Sequence, residues 1–273
     1  MMLIHPGPAD PIRIQISPCR AHKISLILRA GMPLDIAIIE AAQSAGFRAA
    51  WLWVTDAPCD LLSYVIPGPP PGDGRVAFYS DTRVLSAQGN AFPRITAMGM
   101  HLGQGADGPA IHAHGLWNDA EGHVLMGHLL PAETRLSRDV QVTVWGIDGA
   151  IFRRMPDPET GFDLFVPCHA ETSHRGGQSA RLVRLRPHLD LAPTLDDLIA
   201  PKSNVMGLGS LIGTQFADAP ALAPPATEIL ILAHDAPRLR IAAVGQGGSP
   251  RQDWLANHNP ICITAELLVI DMG

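Results

Sequence analysis

The sequence predicts an α+β fold with two tandem domains, each a mainly antiparallel β-sheet flanked by one helix. Short apolar segments of strand length dominate the chain, and apolar residues alternate with polar ones over residues 140–145 and again over 261–270. Each half also carries one amphipathic helix pattern, at residues 33–45 and at residues 191–200, where Pro201 would stop the helix. One helix for several strands in each half is the basis of the predicted fold class.

The two halves share a short repeated pattern. Leu28-Arg29 followed by Leu34-Asp35 in the first half matches Leu185-Arg186 followed by Leu191-Ala192 in the second half at one constant offset. A polar stretch with two glycines lies between the halves and is typical of a linker. We therefore predict an internal duplication, with one domain at residues 1–169, a linker at 170–179 and a second domain at 180–273.

Further strands are predicted from short apolar segments between turn signals. They cover residues 23–29, 47–55, 61–66, 76–80, 94–103 and 140–145 in the first half, and 205–214, 228–233, 239–244 and 261–270 in the second. Ile12, Ile14 and Ile16 alternate, which indicates a possible edge strand in the proline-rich arm that begins the chain. The proline- and glycine-rich residues 67–74 predict a long surface connection outside the sheet, with a lid or a partner-facing loop as the alternative.

Composition limits the class of protein. The chain has 273 residues, 47% of them hydrophobic and 17% charged, which is typical of a compact globular protein. A net charge of −6 gives no electrostatic reason to approach nucleic acid or an anionic membrane. The four cysteines are scattered without paired spacing, and no long apolar stretch is present. We expect a cytoplasmic protein that neither enters a membrane nor uses nucleic acid as a partner.

One stretch, residues 108–130, predicts a β-hairpin with an acidic turn that contains Gly122. Because side chains alternate along a strand, His112 and His114 lie on the same face. A three-residue loop at residues 120–122 would place His114 opposite His128, and a five-residue loop would place His112 there instead. Either odd loop keeps all three histidines on one face, whereas His123 falls on the other face in every register.

Three imidazoles on one face are what a catalytic zinc site requires, because three protein ligands leave a fourth position open. The sequence therefore predicts a metal site formed by His112, His114 and His128, with zinc as the expected ion and another divalent transition metal as the alternative. The alternative is a set of hydrogen-bonded core histidines. His101 and Glu133 are the nearest candidates for a general acid or base, but the strand pattern places neither, so the catalytic residues are unknown at this point.

The hairpin motif resembles the signature of the plant and prokaryote conserved (PPC) domain family. Ile-His-Ala-His, an acidic turn with glycine and then Met-Gly-His-Leu match that family's His-x-His strand followed by its Gly-Gly-His-Leu strand, with Met126 in place of the first glycine. The similarity extends over about residues 24–147 and, more weakly, over about 180–269. The resemblance implies a homotrimer, DNA association as in plant members that carry an AT-hook, and a fold shared with acetolactate decarboxylase, a zinc enzyme with three histidine ligands.

The second half lacks the histidine motif. Its corresponding strand at residues 240–244 has no histidine, and His188, His234 and His258 are isolated in the sequence. We therefore predict that this half is a degenerate PPC-like domain with a structural or oligomerising role and without a metal of its own.

Three functional hypotheses follow. The first is a zinc-binding PPC-domain protein that acts on a small organic molecule through hydrolytic or carbonyl-polarising, lyase-type chemistry. The second is a non-catalytic DNA-associated or regulatory binding module, although the chain has no AT-hook-like Arg-Gly-Arg stretch. The third is a small-molecule sensor whose metal site has lost turnover.

Overall fold

A computed structural model describes residues 3–200 and 202–271, and most of it is antiparallel β-sheet. In this part of the chain there are two α-helices, of 11 and 8 residues. The prediction of mainly antiparallel sheets is confirmed, but the helical content is smaller than an α+β description implies. Neither helix has the length and apolar character needed to span a membrane.

The elements of the first half are thirteen strands and one α-helix. They are β1 (Ile14–Leu28), α1 (Leu34–Ser44), β2 (Ala49–Val54), β3 (Ala57–Val65), β4 (Pro67–Gly68), β5 (Phe78–Tyr79), β6 (Arg83–Ser86), β7 (Arg94–Gln104), β8 (Pro109–Asn118), β9 (Val124–Leu129), β10 (Arg135–Leu136), β11 (Val140–Asp148), β12 (Ala150–Asp157) and β13 (Phe162–His169). The strong strands and the helix lie where the apolar pattern predicts them, whereas the hairpin formed by β12 and β13 was not predicted. Its segments are short and mix charged with apolar residues, so their periodicity is weak.

The second half follows with six strands and one helix. They are β14 (Gln178–Leu185), α2 (Leu191–Leu198), β15 (Asn204–Leu211), β16 (Thr227–Asp235), β17 (Arg238–Val244), β18 (Arg251–Trp254) and β19 (Ile261–Ile270). The helix ends shortly before the position predicted for its stop, Pro201, which lies outside the described residues.

The two halves pair their strands in the same order. In the first half the neighbours run β1, β11, β2, β7, β8, β9, and in the second half they run β14, β19, β15, β16, β17, β18. In each half the helix follows the first strand of this order. By this correspondence, β17 and β18 occupy the place of the histidine hairpin formed by β8 and β9.

Strand β1 joins the two halves into one continuous sheet. Its Arg20–Leu28 part pairs with β11 and its Ile14–Ala21 part pairs with β14. The segment around Ile14 and Ile16, expected as a possible edge strand, is part of β1, and its residues 14–19 pair on one side with β14 of the second half. Alternation shows which residues share a face but not how many strands lie alongside.

The largest hydrophobic core extends across both halves. Trp51 and Trp117 of the first half are fully buried in the same cluster as Leu182, Leu230 and Leu268 of the second half. The halves therefore pack face to face, and side chains at their contact can meet in a common site.

The proline-rich loop differs in one respect from the prediction. Its first two residues, Pro67 and Gly68, pair with Phe78 and Tyr79 in a small separate sheet, whereas residues 69–74 are exposed as expected. Proline is tolerated there because it starts a strand, where its missing N–H is not required. The pairing turns the end of the loop back toward the histidine hairpin.

A buried ion-pair network also connects the halves. The fully buried Arg184 lies 3.2 Å from the carboxylate of Asp157, and Arg186 binds the same carboxylate at 2.7 Å. Burial alone would raise the pKa of Asp157, but the Thr160 hydroxyl and the two arginines outweigh it and lower that pKa. A lowered pKa stabilises the fold above pH ~3.8, and this contribution is lost as the pH falls through the folded-state value.

We expect Asp157→Asn to destabilise the protein by about 3 kcal/mol or more at pH 7, because it leaves Arg184 buried and unpaired. The difference from the parent should narrow as the pH falls below ~3.8 toward the lowered pKa of Asp157, where the folded parent also takes up the proton. Urea denaturation at pH 7 and pH 3 measures both effects. Asp163→Asn, an exposed position on the same hairpin, should stay within about 0.5 kcal/mol of the parent. Equal destabilisation by the two variants would contradict a role for the network.

Candidate metal centre

The histidine hairpin forms with the three-residue loop. The N–H of Asp119 donates to the carbonyl of His123 at 3.1 Å, and Gly122 takes a positive φ of 89° to close residues 120–122. This loop places His114 directly opposite His128, which is one of the two registers predicted from the sequence. His123 lies at the exposed tip, where it bonds to Asp119 and is separate from the other histidines.

The hairpin brings His112, His114 and His128 together. Their potential ligand atoms all lie within 4.8 Å of one another. The ring centroids are separated by 4.9 to 5.3 Å, and the Nε2 atoms of His112 and His114 are 3.2 Å apart. Two nitrogens bound to one tetrahedral zinc lie about 3.3 Å apart, so this spacing fits a shared ion.

The other ring nitrogen of two of these histidines has a fixed partner. His112 Nδ1 is 2.7 Å from Glu266 Oε2, and His114 Nδ1 is 2.9 Å from the carbonyl oxygen of Ile229. A carbonyl can only accept, so His114 Nδ1 carries the proton, and a carboxylate partner favours the same tautomer for His112. Both Nε2 atoms then present lone pairs to each other at 3.2 Å. A cation bound between them removes this repulsion, and such a tautomer is the one that metal-ligating histidines adopt.

Burial keeps the imidazoles of His114 and His128 neutral. It lowers the pKa of His114 to about 3, and a positive charge on His112 would lower that pKa further. Burial also lowers the pKa of His128 well below its usual value, with further contributions from His112, His114 and the guanidinium of Arg154. Neutral imidazole is the form that binds metal, so the lone pairs are available without loss of a proton.

Glu228 lies against the histidines from the second half. Its Oε1 atom is 3.9 Å from both His114 Nε2 and His128 Nδ1, and its Oε2 atom is buried without a hydrogen-bond partner among the described residues. Burial raises the pKa of Glu228 to about 8, and the backbone N–H of His128 opposes that shift in part. At neutral pH, without an ion nearby, this carboxyl group holds a proton beside the three histidines.

The two candidates for a general acid or base lie elsewhere. His101 is fully buried behind the site, where its Nε2 lies 3.1 Å from the carbonyl of Glu266 and its ring packs between Trp51 and Phe152. Glu133 is exposed on a single 3-10 turn and does not line the cavity at the histidines. His101 can orient the strand that carries Glu266, and the structure gives Glu133 no contact with the site.

The sequence analysis missed Glu228 and Glu266. Both come from the half predicted to have only a structural or oligomerising role, and both contact the histidines of the other half. Glu266 is the single charged residue in β19, every residue of which is buried. An isolated carboxylate inside an apolar strand is a signal for a buried polar contact, but its partner cannot be inferred from local sequence.

Gly127, in the second strand of the motif, provides the close packing that positions His128. A Cβ atom at Gly127 would lie 2.3 Å from the carbonyl oxygen of Val65 and 2.8 Å from the Tyr64 ring. Met126, which replaces the family's first glycine, is fully buried in the core, so that position accepts a large side chain. The replacement therefore leaves the hairpin intact.

We expect Gly127→Ala to destabilise the protein by about 1–3 kcal/mol, since the added methyl forces β9 away from the backbone of β3. Urea denaturation measures the effect. Gly247→Ala is the matched control, because a Cβ atom there has no heavy atom within 4 Å. If both variants were as stable as the parent, the close approach at Gly127 would not constrain the hairpin.

The three histidines open into a cavity of about 400 Å³. Both halves contribute to its walls, which combine aromatic and aliphatic side chains with a few charged groups. The groups that matter for the site are His112, His114, His128, Glu228, Glu266, Arg154, Phe78, Tyr79, Phe162 and Phe165. A cavity of this volume is large enough for a small organic molecule.

No protein-family model matches the chain, and a search of curated proteins gives no match. Several solved structures are similar to it. A metal-containing protein from Archaeoglobus fulgidus shares 20% identity with a TM-score of 0.41, over 54% of this chain and 94% of that one. A PPC protein from Pyrococcus horikoshii shares 17% identity with a TM-score of 0.39, over 57% of this chain and 97% of that one. A PPC protein is thus among its structural neighbours, as the motif predicted.

A third solved structure is also similar to the chain. It is a protein from Ralstonia eutropha JMP134 named as a candidate DNA-binding protein, with 16% identity and a TM-score of 0.41, over 54% of this chain and 94% of that one. Each of these neighbours is spanned almost entirely by about half of this chain.

Proposed function

We propose that this chain is a PPC-like protein that binds one divalent transition metal ion, zinc, through His112, His114 and His128 and acts on a small organic molecule. The observation that carries the proposal is the pair of Nε2 atoms 3.2 Å apart, each on a ring whose Nδ1 is already engaged. Imidazole ligands suit zinc and exclude the hard cations that prefer oxygen.

The chemistry that zinc supplies in a three-histidine site is polarisation of a carbonyl or activation of water near neutral pH. The chain's own residues would do the rest. Glu266 orients His112, and the Ile229 carbonyl orients His114, so both rings are held before a ligand arrives. Glu228 can hold a proton at Oε1 or Oε2 and exchange it with a molecule in the cavity, which is the role of a general acid or base.

The test of the proposal is elemental analysis of the purified full chain. The protein is stripped with a chelator, reloaded with zinc and dialysed, and the metal content is then measured per chain. We expect one tightly held zinc. A chain that retains no transition metal after this treatment would remove the basis for the enzyme hypothesis.

DNA binding is the alternative function, and it rests on the name of the Ralstonia neighbour and on the plant members of the family. An electrophoretic mobility shift assay with AT-rich and GC-rich duplexes at 50 and 200 mM salt tests it. Because the net charge of the chain is −6, we expect no retarded complex with either duplex. A retarded complex whose affinity falls steeply with salt would replace the enzymatic proposal with the binding-module one.

The proposal also includes the tandem duplication, with domains at residues 1–169 and 180–273, and a cytoplasmic homotrimer. The equal pairing order of the two halves supports the duplication, and the family resemblance is the reason for the trimer. Multi-angle light scattering at micromolar concentration should give three times the mass of one chain, 29.2 kDa. A monomer at that concentration would contradict the trimer.

A further inference from the structure

Four aromatic side chains line one part of the cavity. They are Phe78, Tyr79, Phe162 and Phe165. Phe78 and Tyr79 are 38% and 39% exposed, although large apolar side chains are usually covered when a neighbouring surface is available. Their open faces are therefore free to contact a ligand.

The rings form a continuous wall that leads away from the histidines. Tyr79 lies 5.2 Å from the His128 ring and 5.7 Å from Phe78, which in turn stacks on Phe162 at 6.3 Å. Arg75 lies over Phe78 at 4.3 Å and holds this wall from outside. An aromatic ring in a ligand would find offset or edge-on partners along the whole path.

Arg154 supplies a cation to the same cavity. Arg154 lines the cavity and has no ion pair among the described residues, whereas the buried Arg184 and Arg186 are paired with Asp157. A guanidinium pairs with a carboxylate through two parallel hydrogen bonds. One such group gives a monocarboxylate a charged partner in the cavity.

We propose that the substrate is an aromatic monocarboxylate, with its carboxylate on Arg154, its ring against Phe78 and Tyr79, and a carbonyl directed to the three histidines. This inference rests on the proposed metal site, and it names the class of molecule that the site acts on. A small aliphatic acid would leave the aromatic wall uncovered, and a neutral aromatic compound would leave Arg154 unpaired.

The test is calorimetric titration of the zinc-loaded full chain with three probes. Benzoylformate has the ring, the carbonyl and the charge, 2-oxo-2-phenylacetamide lacks the charge, and pyruvate lacks the ring. We expect benzoylformate to bind at least ~10-fold more tightly than either of the others, a difference of about 1.4 kcal/mol. Arg154→Gln should lower the affinity for benzoylformate to that for 2-oxo-2-phenylacetamide and leave the affinity for the amide unchanged. Phe78→Ala should lower the affinity for both aromatic probes and leave the affinity for pyruvate unchanged.

Arg153→Gln is the matched control. Arg153 is the neighbour of Arg154 on β12, points to the opposite face and lines a different pocket, so its removal should change none of the three affinities. Equal binding of benzoylformate and the amide, no binding of any probe by a chain that retains zinc, or an unchanged affinity in Arg154→Gln would each overturn the inference. If the chain retains no zinc, the metal proposal fails separately, and the charge preference in the metal-free protein still decides the role of Arg154.

Discussion

Replacement of His112 or His128 by alanine is expected to abolish zinc retention while the fold remains intact. Each variant removes one of three nitrogen ligands, so the affinity should fall by more than the ~10–100-fold that follows loss of a mere hydrogen-bond partner of a ligand. Both side chains are 18% exposed to the cavity, so their truncation opens little buried space. Competition with a chromophoric chelator measures the affinity, and circular dichroism monitors the fold.

His123→Ala is the matched control for these variants. His123 belongs to the same hairpin, but its side chain is 75% exposed at the tip and bonds only to the neighbouring Asp119. The control should bind zinc as the parent does. If the His112 and His128 variants also titrated like the parent, the three histidines would be core or cavity residues and not a metal site.

Glu266→Gln is the second change with a large expected effect. The two oxygens of Glu266 accept from His112 Nδ1 at 2.7 Å and from the N–H of Phe165 at 3.3 Å. A glutamine has one acceptor oxygen, so its amide N–H₂ must face one of these two donors. Glu266 is fully buried, and water cannot relieve this conflict. We expect zinc affinity to fall about 10–100-fold and the free energy of unfolding to fall by about 1–3 kcal/mol.

Zinc competition and urea denaturation of the metal-free chain separate these two effects. Glu171→Gln provides the control, because Glu171 is exposed between β13 and β14. It should change neither the zinc affinity nor the free energy of unfolding. A Glu266→Gln chain that is less stable but binds zinc normally would limit Glu266 to a structural role. Normal behaviour in both assays would show that the contact between the halves does not support the site.

The sequence analysis limited the hairpin to two registers that both keep the three histidines on one face, and the structure has one of them, because these features depend on short-range rules. Alternation along β8 puts His112 and His114 on one face, and Gly122 closes the loop that sets His128 opposite His114. Helix α1 was equally predictable, since its apolar stripe and the glycine after it are local features. The hairpin formed by β12 and β13 was not predicted, because its residues lack a clear alternation of apolar and polar side chains.

The second half illustrates what such rules cannot supply. The missing histidine motif was the basis for predicting that the second half has no metal site of its own. It gave no information about what the strands of that half contact. Glu228 and Glu266 reach His114 and His112 from more than 100 residues away, because the faces of the two halves pack against each other. The pairing of β1 with strands of both halves is likewise a long-range feature that its own residues do not reveal.

By itself, then, the sequence determined the strands with a clear apolar pattern and the three histidines on one face, which follow from the two-residue period and from turn chemistry. The residues of the histidine motif carried the family resemblance. Only the tertiary structure decided that Glu266 fixes the tautomer of His112, that Glu228 lies beside the cluster and that Arg154 and the aromatic wall complete the cavity. The physical reason is that these contacts depend on packing between distant strands. Burial and charge compensation select such packing over the whole chain, and no local pattern encodes it.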